Sequence, residues 1–582
     1  MDASLNSATT GDQIAVPTGF ILDNSGLSYC KRDSDAPEKI AGPFTVHGLA
    51  RDPKSCGWSV LLSWKDQDSK SHMEVLPRAG LIGEGADVFR PLVSKGLRIS
   101  SKAPHIKLLK EFFLGLTSNA RVRLVKQAGW YGHCFVLPSQ TIGDANDEQV
   151  MFDGGADAAR YGSKGTLEDW TSTVAALCAG NTRAIFACSV AFAGPLNDLL
   201  DLEGGGFHFV GSSSVGKTTL VMVAGSVYGG GGRMGFAHSW HGTENGLESI
   251  ARAHSGTLLV LDEIGQADGR SIGSTVYMLM NGTGRARATR DAELKSQASW
   301  RIMLLSSGEL TLGNKIAEGG RQARAGQLAR LADVPADAGQ GCGAFEDTKG
   351  LEPAEFSEAL KYAALTNYGT AGLEYIEGLA DNPREIKESA RSRIREITEK
   401  LVEGIPPSDG QAHRVASRFA LVAHAGELAR VILDLPWAEG EAERAALVCF
   451  NAWREARGGE GPGEFVAAME ALRAVTQTHG ESRFRNLDPP SDPSTPLQHG
   501  AIRDLLGYRF MHRGELVWGF TAAGWKEVIG CVGQPSTVAR LLSEKEVIVT
   551  GGDPAYRLSK RIDGRSQNLI VVKASALEEW GA

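Results

Sequence analysis

Residues 206–229 of this chain of 582 residues have the sequence "GFHFVGSSSVGKTTLVMVAGSVYG". It fits the pattern Gly-x-x-x-x-Gly-Lys-Thr at every fixed position, and the apolar run "FHFV" before the pattern predicts a strand. The residues from Lys217 to Tyr228 predict a helix, which the glycines from Gly229 onward end. A strand, a glycine-rich loop and a helix in this order predict a loop that binds the phosphates of a nucleotide.

The backbone and the side chains of this loop have separate expected roles. Backbone N–H groups turn toward the phosphates, and the positive helix N-terminus favours their negative charge. Lys217 is expected at the β- and γ-phosphates and Thr218 on Mg²⁺, so ATP and Mg²⁺ are the expected cofactors. The alternative is a glycine-rich turn with a chance lysine, which the flanking strand and helix disfavour. The expected nucleotide-binding residues are Gly211, Ser212, Ser213, Ser214, Val215, Gly216, Lys217, Thr218 and Thr219.

A second apolar run ends in two carboxylates. In "GTLLVLDEIGQAD", residues 256–268, the run from Thr257 to Leu261 predicts a buried parallel strand. Open α/β sheets bind ligands at the carboxyl ends of their strands, so Asp262 is expected to hold Mg²⁺ and Glu263 to act as the general base. Two carboxylates after a strand often mark only a strand end that is exposed to solvent. The position of this pair, 45 residues after Lys217, favours the catalytic interpretation.

A third apolar run ends in two serines. "SWRIMLLSSGEL", residues 299–310, predicts a strand over Trp300–Leu305 that is followed by Ser306 and Ser307. Either hydroxyl could orient the attacking water near the γ-phosphate. Asparagine is commoner at this position in such ATPases, and an ordinary turn after the strand is the alternative.

Composition limits the classes of protein to consider. The net charge of −8 excludes a global field that attracts polyanions, so any contact with nucleic acid must be local. The eight cysteines form no Cys-x-x-Cys pair and no zinc spacing, which indicates reduced thiols and a cytoplasmic location. No charged and then apolar leader is evident, and the longest apolar run, 184–196, is too short to span a bilayer. We therefore expect a soluble protein with no membrane partner.

The pattern along the chain predicts an α/β protein of several domains. β-type alternation before Ile142 is interrupted by one helix, marked by the spacing of Ile106, Leu109 and Phe113. Amphipathic helices follow the nucleotide core, and the stretch "NLDPPSDPSTP" resembles a linker. The expected units are a flexible N-terminus at 1–17, an α+β accessory domain at 18–142, a P-loop ATPase core at 143–345, an α-helical lid at 346–485, a proline-rich linker at 486–496 and a winged-helix-like domain at 497–582.

The last of these units has its own pattern. A helix around Ala501–Leu506, a second helix in "STVARLLSEKEV" and two strands joined by "DGRSQ" indicate a winged helix. The strands carry basic residues that could hold the phosphates of duplex DNA, but the unit as a whole is nearly neutral, and a protein-contacting module is equally compatible. These basic residues are Arg557, Lys560, Arg561, Arg565 and Lys573.

A basic stretch separates the acidic strand from the serine strand. In "NGTGRARATRDAELKSQASWR", residues 281–301, basic residues alternate on both arms of a short turn, which predicts a β-hairpin. In a ring such hairpins would line the central hole and grip the phosphates of DNA. A solvated charged hairpin is the alternative. The candidate DNA-binding residues are Arg285, Arg287, Arg290 and Lys295.

Further arginines lie beyond the core's own catalytic residues. Arg330 is the favoured candidate for an arginine finger that reaches the γ-phosphate of a neighbouring subunit, with Arg324 as the second candidate and Arg321 nearby. Surface or internal ion pairing is the alternative. In the predicted lid, Arg414 and Arg418 share a helix face, so either is a candidate nucleotide sensor or simply a solvated arginine.

Several of these motifs together carry a family resemblance. "GFHFVGSSSVGKTT", "SVYG", "TLLVLDEIGQAD", "LLSSGE", "RAGQLARLADVPAD" and "RFALVAHAGELA", in this order, resemble the family catalogued as domain of unknown function 927, which occurs in phages, plasmids and genomic islands. That family is similar to AAA+ (ASCE) ring helicases of the minichromosome-maintenance type. The chain departs from the pattern in having serine for the usual asparagine, no standard finger motif and no evident primase or origin-recognition domain.

The resemblance implies a function. It implies a hexameric DNA helicase or translocase of a mobile genetic element, acting on single-stranded or forked DNA in replication, with an initiator or primase as a possible partner. A different class of answer is an AAA+ switch or defence ATPase that assembles on a protein partner and does not move along DNA. A superfamily 3 viral helicase fits less well, because it would have asparagine where Ser306 and Ser307 stand.

Overall fold

The structure of the chain is a computed structural model that describes most of its length. The described residues are 14–31, 36–83, 85–144, 148–154, 160–230, 232, 235–284, 297–405, 409–457, 463–488, 502, 504–530, 532, 535–549 and 556–580. Within these ranges, none of the helices combines the length and the apolar character needed to cross a bilayer.

Short strands dominate the N-terminal part, as its alternating pattern predicts. A five-stranded sheet has the order β13-β9-β5-β6-β7, and the parallel pairing of β13 with β9 extends this unit beyond the expected boundary at 142. Leu109, Phe112 and Phe113 of the helix α2 share a core with Leu62 of β6. The elements are β1 (Ile14–Ala15), β2 (Phe20–Asp23), β3 (Gly26–Tyr29), β4 (Glu38–Ala41), β5 (Thr45–Arg51), β6 (Ser59–Lys65), β7 (Ser71–Pro77), α1 (Arg90–Ser94), α2 (Ala103–Gly115), β8 (Thr117–Ser118), β9 (Arg121–Val125), β10 (Gly129–Tyr131), β11 (Cys134–Val136), β12 (Thr141–Ile142) and β13 (Gln149–Phe152).

The central part is a five-stranded sheet in which all strands are parallel and run in the order β15-β16-β17-β14-β18. Its strands are nearly continuous apolar runs because helices cover both faces. All five carboxyl ends meet at one edge, where the predicted loop lies. The elements are α3 (Leu167–Trp170), α4 (Ala176–Cys178), α5 (Thr182–Leu199), β14 (Gly205–Val210), α6 (Lys217–Ser226), β15 (His238–Ser239), α7 (Glu244–Ala253), β16 (Leu258–Asp262), α8 (Ile272–Asn281), β17 (Met303–Gly308), α9 (Leu312–Glu318), α10 (Ala325–Leu328) and β18 (Leu331–Pro335).

Helices follow the sheet, and they share its core. The ring of Phe419 lies 5.2 Å from that of Phe186 on α5 and 4.7 Å from that of Phe207 on β14. Each of these aromatic side chains contributes about 1.5–3 kcal/mol through burial. The residues expected as a separate lid are therefore packed in one continuous core with the sheet. The elements are α11 (Pro353–Thr366), α12 (Thr370–Asp381), α13 (Pro383–Leu401), α14 (Gly410–Ile432) and α15 (Glu441–Ala456).

The C-terminal part has its own core, which begins earlier than expected. Phe465 and Met469 pack with Trp525 and Val572, so the helix α16 belongs with this unit and not with the preceding helices. The helix expected around 501–506 is wrong for the described residues 504–506, which form a turn before a strand. The elements are α16 (Gly463–His479), β19 (Phe484–Asn486), β20 (Gly507–His512), β21 (Glu515–Phe520), α17 (Ala522–Ile529), α18 (Pro535–Glu544), β22 (Ile548–Val549), β23 (Leu558–Ile562), β24 (Arg565–Lys573) and α19 (Ala574–Glu579).

Candidate nucleotide site and adjoining basic surfaces

The loop between β14 and α6 has a backbone that only glycine accommodates at its end. Gly216 precedes the helix with φ of 102°, in the left-handed region that favours glycine. A Cβ at this position would lie 3.2 Å from both the Cβ of Ala344 and the ring of Phe345. Ser214 also has a positive φ, of 66°. Turns that contain residues of this kind direct backbone N–H groups into one concavity, which is a geometry that binds phosphate.

A second segment, which we call the brace, supports the loop through two backbone hydrogen bonds. The N–H of Ala344 donates to the carbonyl of Val215 at 2.8 Å, and the N–H of Ala336 donates to the carbonyl of Val210 at 2.8 Å. Both residues follow β18, more than 100 positions beyond the loop. Sequence reasoning missed this brace, because no local pattern indicates which distant turn supports a loop.

Lys217 and the two threonines after it differ in their surroundings. The ammonium of Lys217 is buried and donates to the carbonyls of Gly211, at 2.8 Å, and Ser212, at 2.5 Å. Thr218 is exposed at the first turn of α6, whereas Thr219 is buried and bonded to the hydroxyl of Ser357 at 2.7 Å. Thr218 is therefore available to a ligand, and Thr219 joins α6 to α11.

The acidic strand and the serine strand meet at the same edge. Leu261 pairs with Ser306, so the next residues along the two strands, Asp262 and Ser307, are level with each other. The hydroxyl of Ser307 donates to the carboxylate of Asp262, and both side chains are buried. Because β17 lies between β16 and β14, this pair is roughly 5–10 Å from the start of the phosphate loop. The structure thus brings the predicted metal ligand and one of the two predicted serines together.

Ser306 faces the other side of the strand and has a structural role. Burial lowers the pKa of His208 to about 4, so its imidazole is neutral. Its Nε2 must donate to the carbonyl of Leu310, at 2.9 Å, which leaves Nδ1 to accept from the hydroxyl of Ser306 at 3.0 Å. The indole N–H of Trp240 donates to the same hydroxyl at 2.8 Å. Of the two serines, Ser307 is therefore the one that faces the candidate site.

Glu263 follows Asp262 in a strained conformation. Its φ is 58°, which is uncommon for a residue other than glycine and is typical of functional positions. Its carboxylate accepts from the N–H of Gly265 at 3.1 Å, and Lys315 donates to the carbonyl of that glycine at 2.8 Å. Glu263 is half-buried where Asp262 is buried. The turn therefore presents the second carboxylate at the mouth of the site.

The two finger candidates differ in how they are held. The guanidinium of Arg330 stacks on Tyr277, with 4.4 Å to the ring centroid, and donates to Asn281 at 3.1 Å. Arg324 and Arg321 are exposed on the same groove, which has a volume of about 960 Å³ and also includes Arg270. Arg330 is thus engaged within its own chain, whereas Arg324 is open to a neighbouring molecule.

Arg414 and Arg418 lie far from the phosphate loop of the same chain. Arg418 is packed against Gly205, the first residue of β14, and donates to the carbonyl of Ala329 at 3.0 Å. Burial and the nearby Arg330 lower the pKa of Arg418 to about 10. The six residues of β14 separate this edge from the loop by roughly 20 Å. Arg414, one helical turn before Arg418, is exposed, so the structure does not bring either arginine to Lys217.

The four candidate DNA-binding residues, Arg285, Arg287, Arg290 and Lys295, lie outside the described residues. The two arms that lead to them are described. Thr283 pairs with Ser299 in an antiparallel bridge, and the N–H of Gly284 donates to the carbonyl of Ala298 at 2.8 Å. The arms thus leave the core side by side, as a hairpin requires.

These arms are anchored to the N-terminal domain through Gln127 and to the end of α5 through Arg301. Ser299 donates to the side chain of Gln127 at 2.9 Å, and Gln127 donates to Ser255 at 3.1 Å. Arg301 donates to Asp198 at 2.9 Å and to Asp201 at 2.6 Å. Burial raises the pKa of Asp198, and Arg301 partly opposes this effect. We call these residues the hairpin anchor.

Two glycines close this junction. Gly129 and Gly256 have φ of 112° and 76°, and their backbones touch. A Cβ on Gly256 would collide with the Cα of Gly129 and with the ring of Phe135. The first residue of β10 and the turn before β16 therefore approach as closely as two backbones can.

Comparisons with known proteins bear on this architecture. Residues 20–299 match the model of the family described as "Domain of unknown function (DUF927)", which confirms the predicted resemblance over that range. A solved structure described as "SCCmec type IV Cch - active helicase" covers 97% of this chain and 99% of its own, with a TM-score of 0.72 and 16% identity. That likeness shows a shared fold over nearly the whole chain.

A solved structure of NtrX from Brucella abortus in complex with ADP aligns over 40% of this chain and 44% of its own, with 14% identity. Its TM-score of 0.16 is too low to support any argument. No curated protein matches the chain.

Proposed function

We propose that the chain is an ATP-dependent DNA helicase or translocase of a mobile genetic element, with an AAA+ core that works as a hexameric ring, in replication. One observation carries the proposal: Ser307 and Asp262 are joined at the carboxyl edge of a parallel sheet, beside a phosphate loop. Brought together from separate parts of the chain, these groups form the arrangement that nucleotide hydrolysis needs.

The residues at this edge fit ATP and Mg²⁺. Gly216 and Ser214 shape a backbone concavity for phosphate, and Lys217 supplies a buried positive charge. Thr218 and Asp262 are hydroxyl and carboxylate oxygen donors, the type that Mg²⁺ prefers. Mg²⁺ held there neutralises charge on the β- and γ-phosphates.

The side chains of the chain then have distinct roles. Lys217 binds the γ-phosphate, and the carboxylate of Glu263 accepts a proton from the attacking water. Ser307 fixes the orientation of the Asp262 carboxylate, since its hydroxyl donates to that group and can donate to nothing else at the same time. Its place between the loop strand and the acidic strand matches the position of the expected water-orienting residue.

In a ring of subunits, the neighbouring subunit would supply the remaining catalytic group, which is an arginine. Arg324 is exposed on a groove that no residue of the phosphate loop lines, so the γ-phosphate that it would reach is that of a neighbouring subunit. Arg330 supports that groove through Tyr277 and Asn281. This division of roles favours Arg324 over Arg330 as the finger.

The DNA contact is proposed from two supports. The protein with the shared fold is described as an active helicase. The predicted basic hairpin, whose arms leave the core side by side, carries the charges that would hold single-stranded or forked DNA. A replication initiator or primase is a further proposed partner.

The test is ATP hydrolysis by the full chain with and without single-stranded DNA, together with strand separation on a forked substrate. The proposal expects hydrolysis that DNA stimulates, and unwinding that needs ATP. Glu263→Gln should bind ATP and lose turnover, whereas Glu399→Gln, an exposed carboxylate on α13, serves as the matched control and should behave as wild type. Hydrolysis that DNA does not affect would instead favour the switch or defence ATPase.

A further inference from the structure

One face of the hairpin of β23 and β24 carries guanidinium, amide and hydroxyl groups, and the hydroxyls of Ser559 and Ser566 are hydrogen-bonded to each other at 2.7 Å. Ser559 pairs with Asn568 and Arg561 with Ser566, and residues directly opposite each other in an antiparallel pair share a face. All four side chains are exposed, as is Arg557 just before β23. We call these five residues the wing face: Arg557, Ser559, Arg561, Ser566 and Asn568. The wing face carries two positive charges and no carboxylate.

The opposite face attaches the hairpin to its domain. Ile562 and Leu569 are buried with Phe510, and the ammonium of Lys560 lies 3.7 Å from the centroid of the Phe510 ring. Lys560 is therefore engaged by an aromatic ring of its own domain. The hairpin is fixed through one face, which leaves the wing face directed outward.

The single acidic group at the tip is neutralised. Asp563 sits at the turn between the strands, and both of its oxygens accept from Arg485, at 2.6 and 3.1 Å. This bidentate pair joins β19 to the hairpin turn. Asp563 therefore does not oppose the positive charge of Arg561 beside it.

The hairpin follows two helices that are packed together. The indole N–H of Trp525 on α17 donates to the carbonyl of Pro535 at the start of α18, at 3.1 Å. Val538 and Leu542 bury one side of α18, and Arg540 lies exposed on the other. A second helix with a buried and an exposed side, followed by a projecting hairpin, can enter a groove of duplex DNA while the hairpin contacts the backbone.

We infer that the wing face binds the phosphate backbone of duplex DNA. Arginine, serine and asparagine side chains are the usual donors to phosphate oxygens. In the described part of the hairpin, the wing face offers no aromatic ring on which an unpaired base could stack, so it fits a duplex better than a single strand. Nor does it offer a large apolar side chain of the kind that anchors protein interfaces. The inference takes only the choice of DNA from the proposed function.

The test is the binding of a labelled blunt duplex and of a single strand of the same length to the full chain without nucleotide, by fluorescence anisotropy over a range of salt. Arg557→Ala combined with Arg561→Ala should weaken duplex binding about tenfold or more and lower the slope of log affinity against log salt by about 2. Lysine at both positions should largely restore the slope, because the charge is kept. ATP hydrolysis without DNA should stay at the wild-type rate.

The control removes two exposed arginines elsewhere, Arg395→Ala with Arg513→Ala, and should leave duplex binding unchanged. Unchanged duplex affinity and slope in the wing variant would overturn the inference, and so would an equal loss for single strand and duplex. If the chain hydrolyses no ATP but binds duplex DNA through the wing face, that result would contradict the proposed function and support the inference about the wing face.

Discussion

Ser307 donates its hydroxyl hydrogen to the carboxylate of Asp262, across two neighbouring parallel strands. The pair fixes one carboxylate at the edge of the sheet where the phosphate loop begins. Ser306, its neighbour in the chain, faces the opposite side and bonds His208 and Trp240. Two adjacent serines thus have separable roles.

Replacing each serine by alanine separates these roles. Ser307→Ala should lower ATP turnover about tenfold, since a hydrogen bond to a charged group contributes ~1.5 kcal/mol or more. Ser306→Ala should instead lower the free energy of unfolding by about 1–3 kcal/mol, because it leaves the indole of Trp240 without an acceptor. Turnover at saturating ATP and urea unfolding measure the two effects. A reversal of this pattern would assign the role in ATP turnover to Ser306.

The finger assignment can be tested by mixing subunits. Arg324→Ala and Lys217→Ala should each abolish hydrolysis alone. In an equal mixture about a quarter of the interfaces would pair an intact Lys217 with an intact Arg324, so part of the activity should return. Arg330→Ala should chiefly destabilise the groove, because this arginine is stacked on Tyr277. Failure of the mixture to recover, with subunit exchange verified by mass, would exclude Arg324 as a group acting between subunits.

The hairpin anchor predicts a coupling defect. Gln127→Ala removes the side chain that bridges Ser299 and Ser255, far from the phosphate loop. We expect the rate of hydrolysis without DNA to stay near wild type and its stimulation by single-stranded DNA to fall severalfold. Thr141→Ala, in the strand β12 of the same domain, is the control. Equal stimulation in both variants would show that the anchor does not transmit the effect of DNA.

Buried histidines predict loss of stability in acid. Burial lowers the pKa of His254 to about 3, with His238 nearby adding to the effect, whereas the unfolded group titrates near 6.5. Between these values the unfolded state binds the additional proton, so stability falls as the pH drops from 6.5 toward 4. His254→Phe keeps the aromatic packing and should reduce this slope by up to about 1.4 kcal/mol per pH unit. Urea unfolding at pH 7 and pH 5 measures the change, and an unaltered slope would contradict it.

Local motifs predicted the strands and the loop of the candidate site, and contacts between distant residues completed its arrangement. The loop, the acidic strand and the serine strand could be predicted because each is an apolar run that ends in polar residues. The choice between Ser306 and Ser307 could not be predicted from the sequence, because it depends on which face of β17 meets Asp262. The brace at Ala336 and Ala344 was missed for the same reason.

Domain boundaries were harder to predict than elements. The sequence of the helix α16 does not separate it from the helices before it, so only its contact with Trp525 assigns it to the C-terminal core. The helices expected to form a lid are amphipathic in the sequence, but their apolar side meets Phe186 of α5 and Phe207 of β14. A periodic pattern predicts that one side of a helix is buried, but it does not predict which element covers that side.

The contact of Gly129 with Gly256 limits which N-terminal domains can be exchanged among proteins with this fold. A chimera that joins a foreign N-terminal domain to this parallel-sheet core can seat correctly only when both junction positions lack a side chain, because a Cβ on Gly256 would lie 2.5 Å from the Cα of Gly129 and a Cβ on Gly129 would collide with the carboxylate of Asp198. Candidate donor domains could therefore be screened by sequence at the two junction positions before any gene is assembled.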